Sequence, residues 1–192
     1  MLKEGFSLLA ILITFVAFYP YIQSIRTDTS QPHVFSWVIW GSATCVVFLA
    51  QMEDNAGAGA WSIGLSGMIA LWIAFMAYLQ QGEIRATRSD WGFLVLALSS
   101  LPFWYFTADP LWAVVILTTV DALGFGPTLR KVYRFPYSEK LLFFILLGVR
   151  NVLVILALEN YSLTTVLFPV VVTLACLLLI SIAVYRRRVV SF

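Results

Sequence analysis

Residues 162–185 read SLTTVLFPVVVTLACLLLISIAVY and contain no charged side chain. A helix of about 20 apolar residues spans the hydrocarbon core of a bilayer, so this stretch alone predicts a transmembrane helix. Of all 192 residues, 61% are hydrophobic and only 11% are charged, whereas about a quarter of a soluble domain is charged. Because the chain has too few charges to cover a water-facing surface, we expect an integral membrane protein.

Seven apolar segments of this kind follow one another, each bounded by charged or turn residues. They lie near residues 5–25, 34–52, 57–79, 91–107, 110–129, 140–158 and 162–185. The segments are longer than the strands of a membrane β-barrel and do not alternate with a period of two. The predicted fold class is therefore an all-α integral membrane protein with seven transmembrane helices.

The basic residues are distributed unequally between the two sides of such a bundle. Seven crossings put Lys3 on one side and leave Arg150 within a segment. The other ten of the 12 basic residues fall on the opposite side: Arg26, Arg85, Arg88, Arg130, Lys131, Arg134, Lys140, Arg186, Arg187 and Arg188. Short cytoplasmic loops carry the excess of Lys and Arg. We therefore expect a bacterial-type inner membrane, with the N-terminus outside and the C-terminus in the cytoplasm.

The first and fifth segments share a pattern near their cytoplasmic ends. Pro20 lies in the first and Pro127 in the fifth, and a basic loop with another proline follows each. The next segment then ends in a turn that joins an acidic residue to an asparagine, at 54–55 and at 159–160. This recurrence predicts an internal repeat.

The repeat divides the chain into four parts. They are a three-helix repeat at 1–79, a linker helix at 80–107, a second three-helix repeat at 108–185 and a basic cytoplasmic tail at 186–192, which we expect to contact anionic membrane lipid. Because the linker helix adds one crossing, the two repeats have the same orientation, related by an axis along the membrane normal.

This 3-1-3 arrangement, with a proline near the inner ends of the first and fifth helices, resembles the PQ-loop and SWEET transporter superfamily. The segment Pro-His-Val-Phe-Ser-Trp at 32–37 is also similar to one in a group of small bacterial membrane proteins. The Pro-Gln dipeptide of the superfamily is replaced by Pro20-Tyr21 and Pro127-Thr128. The resemblance implies a carrier that moves a small polar metabolite by alternating access, with Pro20 and Pro127 at its hinges.

Two ionisable residues lie within predicted spans. Asp121 is about 16 Å along the fifth segment and Arg150 about 15 Å along the sixth, at 1.5 Å per residue, so both fall near the membrane midplane. Such residues usually face the bundle interior and mark a pathway. We expect the two helices to be neighbours and the two side chains to pair beside Asn151. The pair either binds a charged or zwitterionic substrate, or is a static ion pair that stabilises packing.

Two tryptophans are candidates for the wall of the same site. Trp37 and Trp40 are three residues apart and share one face of the second helix, where their rings can stack on a substrate. Trp37 is also close to the predicted membrane boundary, where tryptophans serve as interfacial anchors. We therefore predict a substrate site formed by Asp121, Arg150, Asn151, Trp40 and Trp37.

Several classes of function do not fit this sequence. No arrangement of catalytic carboxylates, nucleophile, phosphate loop or metal ligands is present, so we expect neither an enzyme nor a cofactor. Nucleic-acid binding does not fit a net charge of +2. The prediction is a small-metabolite transporter, which could form a homo-oligomer. The alternatives are a membrane scaffold that does not transport, and a lipid-handling accessory protein.

Overall fold

The computed structural model describes residues 1–27, 34–80, 88–137, 139 and 141–189. Within these ranges the chain forms seven α-helices and no strand. They are α1 (Leu2–Arg26), α2 (Val34–Glu53), α3 (Trp61–Leu79), α4 (Arg88–Thr107), α5 (Pro110–Arg134), α6 (Leu141–Ala157) and α7 (Leu163–Val189), with a 3₁₀ turn at Gly57–Ala60 before α3. Each helix coincides with a predicted segment, so the all-α fold class is confirmed.

The length and composition of the helices support insertion into a membrane. Five of them are long and apolar enough to cross one: α1, α2, α5, α7, and α3 together with its preceding 3₁₀ turn. The apolar stretches Trp91–Thr107 of α4 and Leu141–Ala157 of α6 are shorter. Large apolar side chains cover the outside of the bundle, and Phe106 on α4 is 82% exposed. Such a surface is typical of contact with lipid.

Local chemistry separates α4 from α5. Ala108 has a left-handed φ of 51°. The carboxylate of Asp109 then accepts a 2.9 Å hydrogen bond from the backbone N–H of Leu111. Pro110 occupies the first helical position, where its missing N–H leaves no hydrogen bond unmade. Asp109 is therefore the N-cap of α5, and the chain reverses direction within a few residues.

Six of the helices form a closed ring in which each packs against two neighbours. In one half α3 lies between α1 and α2, and in the other α7 lies between α5 and α6. The halves meet where α1 packs against α6 and α2 packs against α5, while α4 packs outside the ring on α5. Helix α7 packs against both α5 and α6, which also meet directly where the rings of Phe125 and Phe144 lie 6.5 Å apart.

Glycines permit the close packing of α2 on α3. A Cβ atom added at Gly67 would lie 2.8 Å from Sγ of Cys45, and one at Gly64 would lie 2.8 Å from the Phe48 ring. Only a residue without a side chain fits at these two positions unless the neighbours move. Small residues at such interfaces allow helix backbones to approach closely.

The two predicted hinge prolines and the start of the tail fall within the bounds of helices. Pro20 is inside α1, and Pro127 falls within the bounds of α5. The basic tail starts as a continuation of α7, which runs to Val189, and residues 190–192 lie outside the described residues. The segment 32–37 is described only from Val34 onward. Below, the end of the bundle that carries Met1 is called the N-terminal end, and the opposite one the C-terminal end.

Candidate functional site

Arg150 extends from α6 into the interior of the ring. Its side chain is buried, with 4% of its surface exposed. Its Nη1 atom lies 3.4 Å from the carbonyl oxygen of Ser62 and 3.4 Å from the hydroxyl oxygen of Ser66, both on α3. Helices α3 and α6 both pack on α1, and the 3₁₀ turn before α3 packs on α6, so the guanidinium group bridges from α6 to the first turns of α3. Arg150 is therefore buried within the bundle.

Asp121 faces the same interior from α5. Its carboxylate interacts electrostatically with Arg150 and with Cys176 on α7. Thr118, one turn earlier on the same face of α5, is buried, so this face of the helix lies against the bundle. Asp121 itself is partly exposed, unlike Arg150.

The predicted direct ion pair between Asp121 and Arg150 is not formed. Within the described ranges, the only ion pair with a separation of 4.0 Å or less joins the amino group of Met1 to Glu4. The two groups still interact electrostatically, but they are more than 4.0 Å apart. The interior therefore contains one positive and one negative group that do not neutralise each other by contact.

Buried polar atoms without a partner lie on α3, α5 and α6. Oγ of Ser62, Oγ1 of Thr118 and Oδ1 of Asn151 make no hydrogen bond within the described residues. Thr118 is one turn before Asp121, on the same face of α5. Asn151 donates its amide N–H to the carbonyl oxygen of Leu147 at 2.9 Å, which leaves its oxygen unused. A buried polar atom without a partner costs about 1–3 kcal/mol, so these atoms remain available to a ligand.

Trp37 and Trp40 share a face of α2, as predicted, and their ring centroids are 5.6 Å apart. Trp37 packs against Tyr21 of α1, with centroids 5.0 Å apart. The indole nitrogen of Trp40 lies 3.5 Å from the point where a side chain would begin at Gly124. Gly124 is three residues beyond Asp121, so Trp40 lies about one helical turn from the charged group.

A chain of aromatic contacts crosses the ring between these residues and the C-terminal end. The contacts, with centroid distances, are Phe125–Phe144 at 6.5 Å, Phe144–Phe143 at 5.4 Å, Phe143–Phe18 at 5.9 Å, Phe18–Trp37 at 6.5 Å and Trp37–Trp40 at 5.6 Å. Both ends of the chain reach α5, since Trp40 lies against Gly124 and Phe125 follows it. We call these six residues the aromatic collar.

The four phenylalanines of the collar were missed by the sequence analysis. Within an apolar segment, a ring that faces the interior cannot be told from one that faces lipid. One signal was present but unused: Phe18 is two residues before Pro20, and Phe125 is two residues before Pro127. This recurrence marks both phenylalanines as interior positions of the repeat.

At the N-terminal end, the turn after α2 binds the turn after α6. Asn160 donates a 2.8 Å hydrogen bond to the carbonyl oxygen of Asp54, and the Ser162 hydroxyl donates to the Asp54 carboxylate. The backbone N–H of Glu159 donates to the carbonyl oxygen of Ala56 at 3.0 Å. We call this group of contacts the turn clasp. The sequence analysis identified both turns but did not predict that they touch.

Arg150 and Asp121 lie between the turn clasp and the aromatic collar. Arg150 is seven residues from the end of α6 at the clasp, or about 10 Å. Phe144 is six residues from Arg150 in the other direction, or about 9 Å. The arrangement provides two separated charges and several unused polar atoms in an interior with an aromatic boundary on one side.

Comparisons with protein-family models, with curated proteins and with solved structures find no match to this chain.

Proposed function

We propose that this protein is a small-metabolite transporter that works by alternating access, with its site between two three-helix repeats. The observation that carries the proposal is Arg150, a buried cation in the ring interior with no ion pair among the described residues. An unpaired charge inside a membrane protein is costly and usually serves a pathway. The proposal requires binding and movement of a solute and includes no catalytic step.

The packing of the helices supports the repeat at 1–79 and 108–185 with a linker helix at 80–107. Under the repeat, α1 corresponds to α5, α2 to α6 and α3 to α7. The contact of α1 with α6 then corresponds to that of α5 with α2, and both exist. In each half the third helix lies between the first two. A two-fold axis through the centre of the ring would produce this pattern, with α4 left outside.

We further propose that all seven helices cross the bilayer, with the N-terminus outside and the C-terminus in the cytoplasm. The 17 residues of α6 are at the short end of the range that spans a membrane. Arg26, Arg134 and the arginines of the last turn of α7 lie at the C-terminal end of the bundle, and Lys3 lies at the other end. This bias is typical of a bacterial inner-membrane protein.

Under alternating access, the aromatic collar and the turn clasp would open in turn. Opening toward the cytoplasm would separate the rings of the aromatic collar, and opening toward the outside would separate the turn clasp. Pro20 removes a helical hydrogen bond two residues from Phe18, where a bend would move that ring. Pro127 has the same relation to Phe125 along the chain.

Thermal unfolding of the detergent-purified protein tests the proposal. The protein is screened against several hundred metabolites, together with the double variant Asp121→Asn, Arg150→Gln. A ligand at 100 times its Kd adds about 2.7 kcal/mol to the free energy of unfolding. We expect at least one metabolite to stabilise the native protein and to lose this effect in the double variant.

A blank screen would contradict the proposal if the double variant is folded and as stable as the native protein. The charges would then be structural, as a membrane scaffold requires. Stabilisation by phospholipid alone, with no effect of any soluble metabolite, would instead support a lipid-handling protein. Gly92→Ala provides the control variant, because a Cβ at Gly92 meets no atom within 4 Å.

A further inference from the structure

Arg150 forms no ion pair of 4.0 Å or less within the described residues, in a place where a cation needs an anionic partner. In this part of the chain its hydrogen bonds are the two from Nη1 to neutral oxygens of Ser62 and Ser66 on α3, both at the long distance of 3.4 Å. A guanidinium group has five N–H donors in a planar fork that matches a carboxylate. Arg150 therefore retains most of its donors for an anionic group of a ligand.

The opposite charge is on α5. Among the residues that the structure describes, Asp121 forms no ion pair within 4.0 Å, although it interacts electrostatically with Arg150. Its carboxylate accepts hydrogen bonds but donates none when ionised. Asp121 is thus available for a cationic group of a ligand.

The unpartnered polar atoms extend each of these two positions. Ser62 lies against Arg150, and its hydroxyl, which has no partner, can donate to an anion. Thr118 lies one turn before Asp121, and its hydroxyl oxygen can accept from a cation. Each charge therefore has one hydroxyl group beside it: Ser62 of α3 next to Arg150 of α6, and Thr118 next to Asp121 on α5 itself.

Charge balance decides which class of solute fits. A simple anion or a simple cation would leave the site with one net charge in the interior, which is expensive at this depth. A solute that carries both charges leaves the site neutral, because its anionic group can pair with Arg150 and its cationic group with Asp121. An uncharged solute would leave both charges without partners.

Resting on the proposed function, we propose that the transported substrate is a small zwitterion of the amino-acid type. Its carboxylate binds Arg150 and Ser62, and its ammonium group binds Asp121 and Thr118. The aromatic collar lies on one side of this position, with Trp40 about one helical turn from Asp121.

Uptake into proteoliposomes tests the substrate class. The 20 standard amino acids are assayed first, together with uncharged sugars and nucleosides. For the best amino acid, three matched compounds follow: the acid without its amino group, the amine without its carboxylate, and the amino acid amide. For leucine these are 4-methylpentanoate, 3-methylbutylamine and leucinamide. We expect only the full zwitterion to be transported.

Two charge variants give a readout that a structural role would not produce. A hydrogen bond to a charged group contributes about 1.5–3 kcal/mol, or about a 10- to 100-fold change in affinity. Asp121→Asn should therefore weaken binding of the zwitterion about 10- to 100-fold and favour the deaminated acid. Arg150→Gln should weaken it similarly and favour the amine. A purely structural pair would lower the amount of folded protein without reversing this preference.

Thr118→Val keeps the shape of the side chain and tests the inference even where the charge variants fail to fold. Because the hydroxyl oxygen has no partner within the described residues, its removal should leave the unliganded protein at least as stable. Affinity for the zwitterion should fall about tenfold. Unchanged affinity would contradict the assignment of Thr118 to the ammonium group.

The outcomes separate this inference from the proposed function. Uptake of a sugar or nucleoside with no uptake of any amino acid would overturn the zwitterion and leave the transporter. Equal uptake of the amino acid and its deaminated acid would overturn the role of Asp121. Absence of uptake for every solute, with the protein folded in the vesicles, would overturn both.

Discussion

The two halves of the ring place their aromatic side chains alike. Phe18 and Trp37 in the first half have ring centroids 6.5 Å apart and planes at 67°. Phe125 and Phe144 in the second half have centroids 6.5 Å apart and planes at 62°. Each phenylalanine is two residues before a proline, Pro20 or Pro127. The partner ring is 17 residues after that proline. Equal spacing therefore produces equal geometry in both halves.

The same two halves differ in charge. Thr14 is six residues before Pro20, and Asp121 is six residues before Pro127. The Thr14 hydroxyl donates to the carbonyl oxygen of Ala10 at 2.8 Å, within its own helix. An ionised carboxylate at this position cannot make such a bond. It only accepts hydrogen bonds, and within a helix the backbone N–H donors are already used, so only carbonyl oxygens remain. The two halves therefore have similar aromatic packing, but only the second half has a charged residue at this position.

Loss of the charge at Asp121 should have the largest effect on this comparison. Asp121→Asn removes the negative charge that attracts Arg150 through space at more than 4.0 Å, so we expect the free energy of unfolding to fall by about 2–3 kcal/mol. Thr14→Val, at the corresponding position, should cost about 1 kcal/mol or less, since it removes one local hydrogen bond. Thermal unfolding in detergent measures both. Equal losses at the two positions would show that the charge does not distinguish the halves.

The double variant Asp121→Asn, Arg150→Gln sharpens that result. With both charges removed, we expect stability to recover toward the native value while solute binding remains lost. A double variant that binds and transports like the native protein would show that the two charges are structural. The doubly neutralised protein is therefore the control for each single change.

Helix packing provides the second contrast. Gly67→Ala should destabilise by about 1–3 kcal/mol, because the new methyl group would lie 2.8 Å from Sγ of Cys45. Gly148→Ala, between α6 and α7, meets only Cβ of Cys176 at 3.7 Å, an ordinary contact. That change should leave stability unchanged or raise it by up to about 1 kcal/mol. If both variants lose stability equally, α2–α3 and α6–α7 pack more alike than the structure shows.

The aromatic contacts should give equal energies in the two halves. Double-mutant cycles on Phe18 with Trp37, and on Phe125 with Phe144, isolate the pairwise term, for which we expect about 1 kcal/mol each. Leucine substitutions limit the cavities that alanine would create. A coupling in one half and none in the other would contradict the equivalence of the two contacts.

The smallest effect is expected at the C-terminal end, where α7 has arginines in its last turn and α3 has no basic residue in its own. Nε of Arg186 donates a 2.9 Å hydrogen bond to the carbonyl oxygen of Tyr133, and the guanidinium lies 4.6 Å from the centroid of that ring. Arg186→Gln should cost about 0.5–1 kcal/mol. Hydrogen exchange near Tyr133 should rise, while exchange in α3 stays constant. Unchanged exchange near Tyr133 would show that the contact with Arg186 does not stabilise the last turn of α5.

Seven helices and their approximate limits follow from the sequence alone. The break before α5 depends on the local chemistry of Asp109 and Pro110. The span at 162–185 depends on the thickness of a bilayer. Both features are independent of the rest of the fold. The repeat was also predicted from Pro20 and Pro127, and the packing of the helices now supports it. What the repeat could not supply is the order of helices around the ring, since sequence neighbours need not be neighbours in space.

The site divides in the same way. The sequence determined that Asp121 and Arg150 lie deep in the bundle and face inward, because a charge at that depth is expensive anywhere else. Only the tertiary structure decided that they do not touch. Arg150 extends to Ser62 on α3, and Asp121 forms no ion pair within the described part of the chain. Burial is a property of each residue along its own helix, whereas pairing depends on which helices are adjacent.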